Sequence, residues 1–324
     1  MKIVLPVAGF GKRMRPHTWS KPKPLLNVAG RPILGHILDR FKGLDVEEVI
    51  FITGWLGDQI KEYVEANYDF TARYVVQEEL KGQAHAIYMA REYLTGPCIT
   101  VWVDTFFEAD LQGLEKRPVD AVAYVKEVQD PRRFGVAVEE GGRIVRLIEK
   151  PKSCEHRNAV IGLYYIRDAA ALVDAISYLL EHDIQTQGEY YLVDALQIMI
   201  DRGAVFVSEQ TPVWKDCGTP EALLDTNRYL LSNGFSQEIE VRNAVLIPPV
   251  YVANSAVIER SVVGPYVTVC DGVRITNSIV RDAIIEEGST IEGVGLDHSL
   301  VGRNATIRGS LGRVNVGDND QIVW

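Results

Sequence analysis

The chain has little that could cross-link it, anchor it in a membrane or draw it onto a polyanion. Its 324 residues include four cysteines, Cys98, Cys154, Cys217 and Cys270, widely spaced and without a Cys-x-x-Cys pair. That excludes a disulfide framework and a zinc ribbon, and it is the usage of a reduced, cytoplasmic protein. Positive charge is also in deficit: 34 Lys and Arg face 44 Asp and Glu, a formal net charge of −10. This balance disfavours nucleic acid or an anionic membrane as the main partner. The apolar run at the N-terminus, Lys2-Ile3-Val4-Leu5-Pro6-Val7, is interrupted by Pro6 and ends at Gly9. It is too short for a signal peptide or a membrane span.

What is present is enough apolar material for a substantial core, 47% of the residues. A chain of this length is expected to form one large domain and a smaller one. Up to about residue 110, apolar runs at 49–53, 73–76 and 98–103 alternate with helical patterns near 32–42, 56–66 and 83–94. Alternation of this kind predicts an α/β fold with a mixed, mainly parallel sheet. Further strands are expected at 120–127, 134–139, 143–149 and 159–166, and helices at 168–181, 189–202 and after Pro220.

Near residue 240 the pattern changes. Val245, Tyr251, Val257, Val263, Val269 and Ile275 recur every six residues, and the phase resets to Ile279, Ile285 and Ile291. Val301 with Ile307 and Val316 with Ile322 continue the step. A hexad predicts a small β-helix, each turn stacking its apolar residue on the next, where a sandwich strand would alternate with period two. The expected domains are therefore 1–235 and 240–324. The tail is expected to serve association into a homo-oligomer, because stacked coils suit symmetric contacts.

The most informative stretch is the first turn, Ala8-Gly9-Phe10-Gly11-Lys12-Arg13, with Lys23 following in Lys21-Pro22-Lys23-Pro24-Leu25. A strand feeding a Gly-rich loop places backbone N–H groups around a phosphate, and Arg13 and Lys23 add cations. A dinucleotide site would run straight into a helix and find an acidic ribose ligand at the next strand end. Here Pro16, Pro22 and Pro24 oppose the helix, and Phe51-Ile52-Thr53-Gly54 offers no carboxylate.

Gly9, Gly11, Lys12, Arg13, Pro16, Thr18, Pro22, Lys23, Pro24 and Leu25 together resemble the motif of the sugar-1-phosphate nucleotidyltransferases. The resemblance covers about residues 1–235, and the hexad tail matches the longer members, with a left-handed β-helix after a Rossmann-like domain. It implies that a sugar 1-phosphate attacks the α-phosphorus of a nucleoside triphosphate in line and pyrophosphate leaves. Such transfer needs positioning, cations and Mg²⁺, so the lack of a Ser-His-Asp or Cys-His set is expected.

The resemblance also implies roles. Arg13, Lys23 and Asp104 would be catalytic, and Ala8, Gly9, Gly11 and Lys12 would bind the nucleotide. Asp104, at the end of the run 98–103, and Asp216, in Trp214-Lys215-Asp216-Cys217-Gly218-Thr219-Pro220, would hold Mg²⁺. Gln77 and Gly82 would face the base, where a Gln amide offers the donor and acceptor that thymine or uracil requires. Phe134, Gly135, Glu149, Lys150 and Val160 would bind the sugar phosphate. Val103 departs from the family, which usually has Gly before the first Asp. The segment 188–194 also resembles the family but is assigned no chemistry, and His298 is expected to be a surface or loop residue. The implied substrates are dTTP or UTP and a sugar 1-phosphate, with glucose 1-phosphate first. A uridylyltransferase and a non-catalytic, nucleotide-sensing scaffold of the same fold remain the alternatives.

Overall fold

The computed structural model describes residues 1–309 and 314–323, so 310–313 and 324 of the expected tail lie outside the described residues. The chain forms two compact units. The first comprises Met1–Gly9 and Leu38–Trp214, the second Phe10–Ile37 and Lys215–Trp324. The change of pattern near 240 is thus a change of local structure, while compactness groups the segment after Gly9 with the C-terminal residues. Each unit is built around its own apolar cluster.

The first unit is organised by a nine-stranded sheet of β1 (Lys2–Pro6), β2 (Glu48–Thr53), β3 (Ala72–Val76), β4 (Cys98–Val101), β5 (Ala121–Glu127), β6 (Gly135–Glu140), β7 (Arg143–Glu149), β8 (Asn158–Ile166) and β9 (Phe206–Gln210). The order β7-β6-β8-β4-β1-β2-β3 holds its main path, with β5 also on β8 and β9 on β5. The β3-β2-β1-β4 half is parallel, as the alternation with helices predicts. Its inner strands are buried along their length, including Ile3, Val4, Leu5, Ile50, Phe51 and Ile52, as a sheet covered on both faces requires. The rest makes the sheet mixed, as expected: β9 runs parallel to β5, and the other pairings are antiparallel. β8 runs antiparallel to β4, β5 and β6, and β6–β7 is a hairpin. Gly141 and Gly142, both at positive φ (57° and 79°), make the two-residue turn that matches strand twist.

Helices α1 (Ile33–Leu38), α2 (Gly57–Asn67), α3 (Gln83–Met89), α4 (Ala169–Glu181), α5 (Leu192–Asp201) and α6 (Pro220–Leu230) follow the expected order. The longer patterns at 32–42 and 83–94 close as 3₁₀ turns, Asp39–Phe41 and Arg91–Tyr93. Asp168 caps α4 by accepting from the Ala170 N–H. Thr219 caps α6 through the Ala222 N–H, with Pro220 at the first helical position.

In the second unit, 10–32 contains 3₁₀ turns and two short strands, with no α-helix before α1. That agrees with the three prolines. The C-terminal part is a β-helix of parallel strands with three internal ladders. These are Leu246–Val263–Val280–Leu296, Val252–Val269–Ile285–Val301–Val316 and Ile258–Ile275–Ile291–Ile307–Ile322. The coil shortens along the chain, from 17 residues between Ile258 and Ile275 to 15 between Ile307 and Ile322. A strict step of six cannot follow coils shorter than 18, so the first part of the expected ladder is one residue out. Val245 and Ile279 are 55% and 56% exposed, while their neighbours Leu246 and Val280 lie on the internal ladder. Tyr251 and Val257 yield in the same way to the buried Val252 and Ile258. Successive residues of a strand face opposite sides, so a slip of one exchanges inside for outside.

Candidate active site

The Gly-rich turn is divided between the units: Ala8 and Gly9 belong to the first, Phe10 to Arg13 to the second. In the first unit, Ala8 is buried and packs under Gly54, where a Cβ would stand 2.8 Å from the Ala8 carbonyl oxygen. In the second, Gly11 is left-handed (φ 60°), and a Cβ there would press on Thr18 at 3.0 Å and on Lys23 Cβ at 3.1 Å. The Thr18 hydroxyl donates to the Gly11 carbonyl at 2.9 Å. Gly11 is therefore required for conformation and for close approach of the Lys23 segment. Lys12 is exposed and sits over the Phe10 ring at 5.8 Å.

Also in the second unit, Gly218 brings Arg13 and Asp216 to one place. A Cβ on Gly218 would lie 2.7 Å from Asp216 Oδ1 and 3.0 Å from Arg13 Nη2. The Gly218 N–H donates to Asp216 Oδ1 at 2.7 Å, which fixes the carboxylate. A guanidinium and an oriented carboxylate side by side suit a phosphate and the cation that accompanies it.

In the first unit, β4 ends at Val101, short of the expected 103, so Asp104 does not end a strand. It lies in the turn before the strand Thr105–Glu108, just after Trp102, whose N–H donates to the Gly162 carbonyl at 3.1 Å and continues the register of the antiparallel ladder by one residue. Gly162 (φ 79°) has no room for a Cβ, which would meet Trp102 Cδ1 at 2.0 Å. Val103, the departure from the resemblance, is buried.

The segment expected to face the base is anchored at both ends. Buried Gln77 donates its backbone N–H to the Thr53 carbonyl at 2.8 Å and its Nε2 to His85 Nδ1 at 3.1 Å. Gly82 (φ 113°) abuts Tyr190, whose carbonyl would be 2.5 Å from a Cβ. Burial, then Lys81, lowers the pKa of His85, consistent with its neutral ring accepting from Gln77.

The residues expected to bind the sugar phosphate converge. A Cβ on Gly135 would touch Val160 Cγ2 at 2.9 Å, Glu149 Oε2 at 3.0 Å and Val193 Cγ2 at 3.0 Å. Lys150, left-handed at φ 46°, donates its backbone N–H to the Phe134 carbonyl at 3.0 Å and its Nζ to the Tyr191 hydroxyl. Phe134 stands edge-on to Trp214 at 4.9 Å.

The segment 188–194, given no chemistry from the sequence, joins both sides. Tyr190 holds Gly82, Tyr191 holds Lys150, and Asp194 Oδ2 is buried with no hydrogen-bond partner among the described residues. The signal was there in Gly188-Glu189-Tyr190-Tyr191-Leu192-Val193-Asp194, but chain order alone does not place it between the two segments. His298 is likewise more than a surface residue: its Nδ1 lies 2.6 Å from Asp282, which also takes both arms of Arg228.

Burial raises the pKa of Glu149 from 4.5 to about 7, with Asp194 and Glu189 adding to the effect and Lys150 opposing it. A carboxyl whose folded value exceeds its unfolded one favours the fold fully below the unfolded value and loses that contribution as pH rises through the folded one. Thermal stability is therefore expected to fall between about pH 4.5 and pH 7 on account of this group. Melting curves across that window should show the slope reduced in Glu149→Gln. An unchanged slope would remove the effect from Glu149.

Asp104 and Asp216 supply hard carboxylate oxygens of the kind Mg²⁺ takes. Among the described residues no group of three or more His, Cys, Asp or Glu side chains could hold a metal. No helix among the described residues is long and apolar enough to cross a membrane.

Residues 2–233 match the model of the nucleotidyl transferase family, and residues 226–300 match that of the GlmU-like C-terminal hexapeptide region. A glucose-1-phosphate thymidylyltransferase of Streptomyces antibioticus is 28% identical over 359 aligned positions, covering 99% of each chain. The bifunctional protein GlmU of Methanococcus vannielii is 30% identical over 236 positions, 72% of this chain and 56% of that protein, so the chain spans about half of its length. A crystal structure of a Bacillus anthracis protein assigned as a glucose-1-phosphate thymidylyltransferase, with sucrose bound, has a TM-score of 0.62 at 25% identity. It covers 74% of this chain and 97% of the other.

Proposed function

We propose that this chain, which belongs to the nucleotidyl transferase family, transfers a nucleotidyl group from dTTP or UTP to a sugar 1-phosphate, with glucose 1-phosphate the first candidate. The observation that carries the reading is the convergence of Gly135, Glu149, Val160 and Val193 on one point, with Lys150 tied to Tyr191 beside it. Chemically, that is a wall of carboxyl and small apolar groups for sugar hydroxyls and a cation for the phosphate. Arg13 and Lys23 neutralise the triphosphate and the departing pyrophosphate. Asp104 and Asp216 would each offer carboxylate oxygens to Mg²⁺, which when bound would draw charge from the phosphate oxygens.

Gln77, fixed between the Thr53 carbonyl and His85, presents its amide to the base. A pyrimidine pocket separates thymine from uracil by one methyl, worth about 1–3 kcal/mol at most. Selectivity for pyrimidine over purine is accordingly expected to be large and that for dTTP over UTP modest. The test is a matrix of dTTP, UTP, CTP, ATP and GTP against several sugar 1-phosphates, read as kcat/KM for pyrophosphate release. In Gln77→Ala, kcat/KM for dTTP and UTP should fall about tenfold or more, the value of one lost hydrogen bond to a buried polar edge. A preference for GTP, or no change in Gln77→Ala, would overturn the base assignment.

A further inference from the structure

Within the second unit, the phosphate loop is tied to the β-helix by a buried ionic cluster. Lys21 and Glu286 are 6% and 2% exposed. Lys21 Nζ donates to Glu286 Oε2 at 2.6 Å and to both oxygens of Glu287 at 3.1 Å. Asn27 donates its backbone N–H to Glu286 Oε1 at 2.9 Å. Its Nδ2 donates to Glu286 Oε2 at 2.8 Å and Glu287 Oε1 at 2.7 Å. The donors of the Asn27 amide and of the Lys21 ammonium are thereby directed at two carboxylates of one coil.

Lys23 lies between these two anchors. From Lys21 to Asn27 the chain turns once, with the Leu25 N–H on the Pro22 carbonyl at 2.8 Å and the Leu26 N–H on the Lys23 carbonyl at 3.1 Å. Pro22 and Pro24 restrict what dihedral freedom is left. On its other side the Lys23 stem rests against Gly11. The neighbouring loop residues meet later coils: Arg303 Nη2 donates to the Ser20 carbonyl at 2.8 Å, and His17 pairs with Asn315.

Stability alone does not call for charges here. The buried Glu286 carboxylate and Lys21 ammonium, beside the part-exposed Glu287, carry a desolvation cost that apolar packing would avoid, and a buried ion pair is weak evidence for added stability. Burial opposes the charge on Lys21, yet Glu286 and Glu287 outweigh it and raise its pKa, so the ammonium persists. What directional donors and acceptors add, and apolar contacts cannot, is a single register of the loop.

We propose that Glu286 and Glu287 are positioning residues for the triphosphate site, acting through Lys21 and Asn27 on Lys23, so that the β-helix sets nucleotide affinity. The inference rests on the reading of Lys23 as a triphosphate cation. Its test compares Lys21→Met, Glu286→Gln and the double variant Lys21→Met/Glu286→Leu, which removes the buried ion pair and leaves the part-exposed Glu287. Glu292→Ala, an exposed β-helix carboxylate paired with Arg308, is the control.

Pyrophosphate release gives KM for each substrate, calorimetry gives the Kd for Mg-dTTP, and melting reports folding. The double variant should melt near the parent while both the triphosphate KM and the Kd rise tenfold or more. The sugar 1-phosphate KM should stay within twofold, and Glu292→Ala should change none of these. A double variant with parental melting and parental triphosphate KM and Kd would overturn the proposal. So would variants that lower melting and kcat while leaving both KM values alone. If the parent binds Mg-dTTP but releases no pyrophosphate, the reaction reading falls, and the positioning role then stands on the Kd of the variants.

Discussion

Asp104→Asn is expected to lower kcat/KM for pyrophosphate release by about 10²–10³-fold, with melting temperature close to that of the parent chain. The substitution keeps the size of the side chain and removes its charge. Asp104 is half-buried in a turn between two strands, so the change adds no volume and opens no cavity. On the proposed reading, what it removes is a hard, anionic ligand for the cation that balances charge during transfer. Lys23→Ala should produce a loss of similar size through the triphosphate, seen in KM as well as kcat. Steady-state assays with Mg²⁺, dTTP and glucose 1-phosphate read both. Turnover unchanged in both variants would sink the site assignment, and it would favour the scaffold reading, in which neither charge is needed.

Truncation after Ser236 is expected to do more than change oligomeric mass. If the first 235 residues were self-sufficient, removing the β-helix would leave the transfer reaction intact. The second unit argues otherwise. Without the coils Lys21 loses both carboxylates, and Asn27 loses all three of its bonds to them. Asn227 of α6 loses the Thr268 hydroxyl and the Tyr266 carbonyl, and Gly30 loses the Tyr251 ring that covers it. Water can replace these partners, so the cost lies in the packing that the coils supplied and in the register of the Lys21–Asn27 segment, which loses its anchors. The truncated chain should therefore be insoluble or retain under about a hundredth of the parental activity. Circular dichroism, mass in solution and pyrophosphate release on the truncated chain decide it. A folded fragment with parental kcat/KM would show that the coils serve association alone.

Much of this was legible because the sequence carries it locally. The buried parallel strands, the helix order, the proline-broken loop and the repeat character of the tail each follow from patterns within ten or twenty residues. So does the glycine at Gly11, where φ is positive, while the cations Arg13 and Lys23 and the carboxylates Asp104 and Asp216 are residue types of the proposed site. The β-helix was recognisable from its apolar rhythm, but not which residue faces inward. Val245 and Leu246, or Ile279 and Val280, differ by one position, and only coils of 17 to 15 residues settle the phase.

The tertiary structure decided what distant segments do to one another. Tyr190 and Tyr191 are two tyrosines in a polar stretch until Gly82 and Lys150 are packed against them. Glu149 is an ordinary strand-end carboxyl until burial beside Asp194 moves its titration. Lys21 reads as a third basic residue of a phosphate loop, yet it faces Glu286 and Glu287, some 265 positions away, and serves the loop's register. The physical reason is common to all three. Backbone conformation is set by neighbours in the chain, whereas desolvation and hydrogen-bond partners are set by whatever the fold brings alongside.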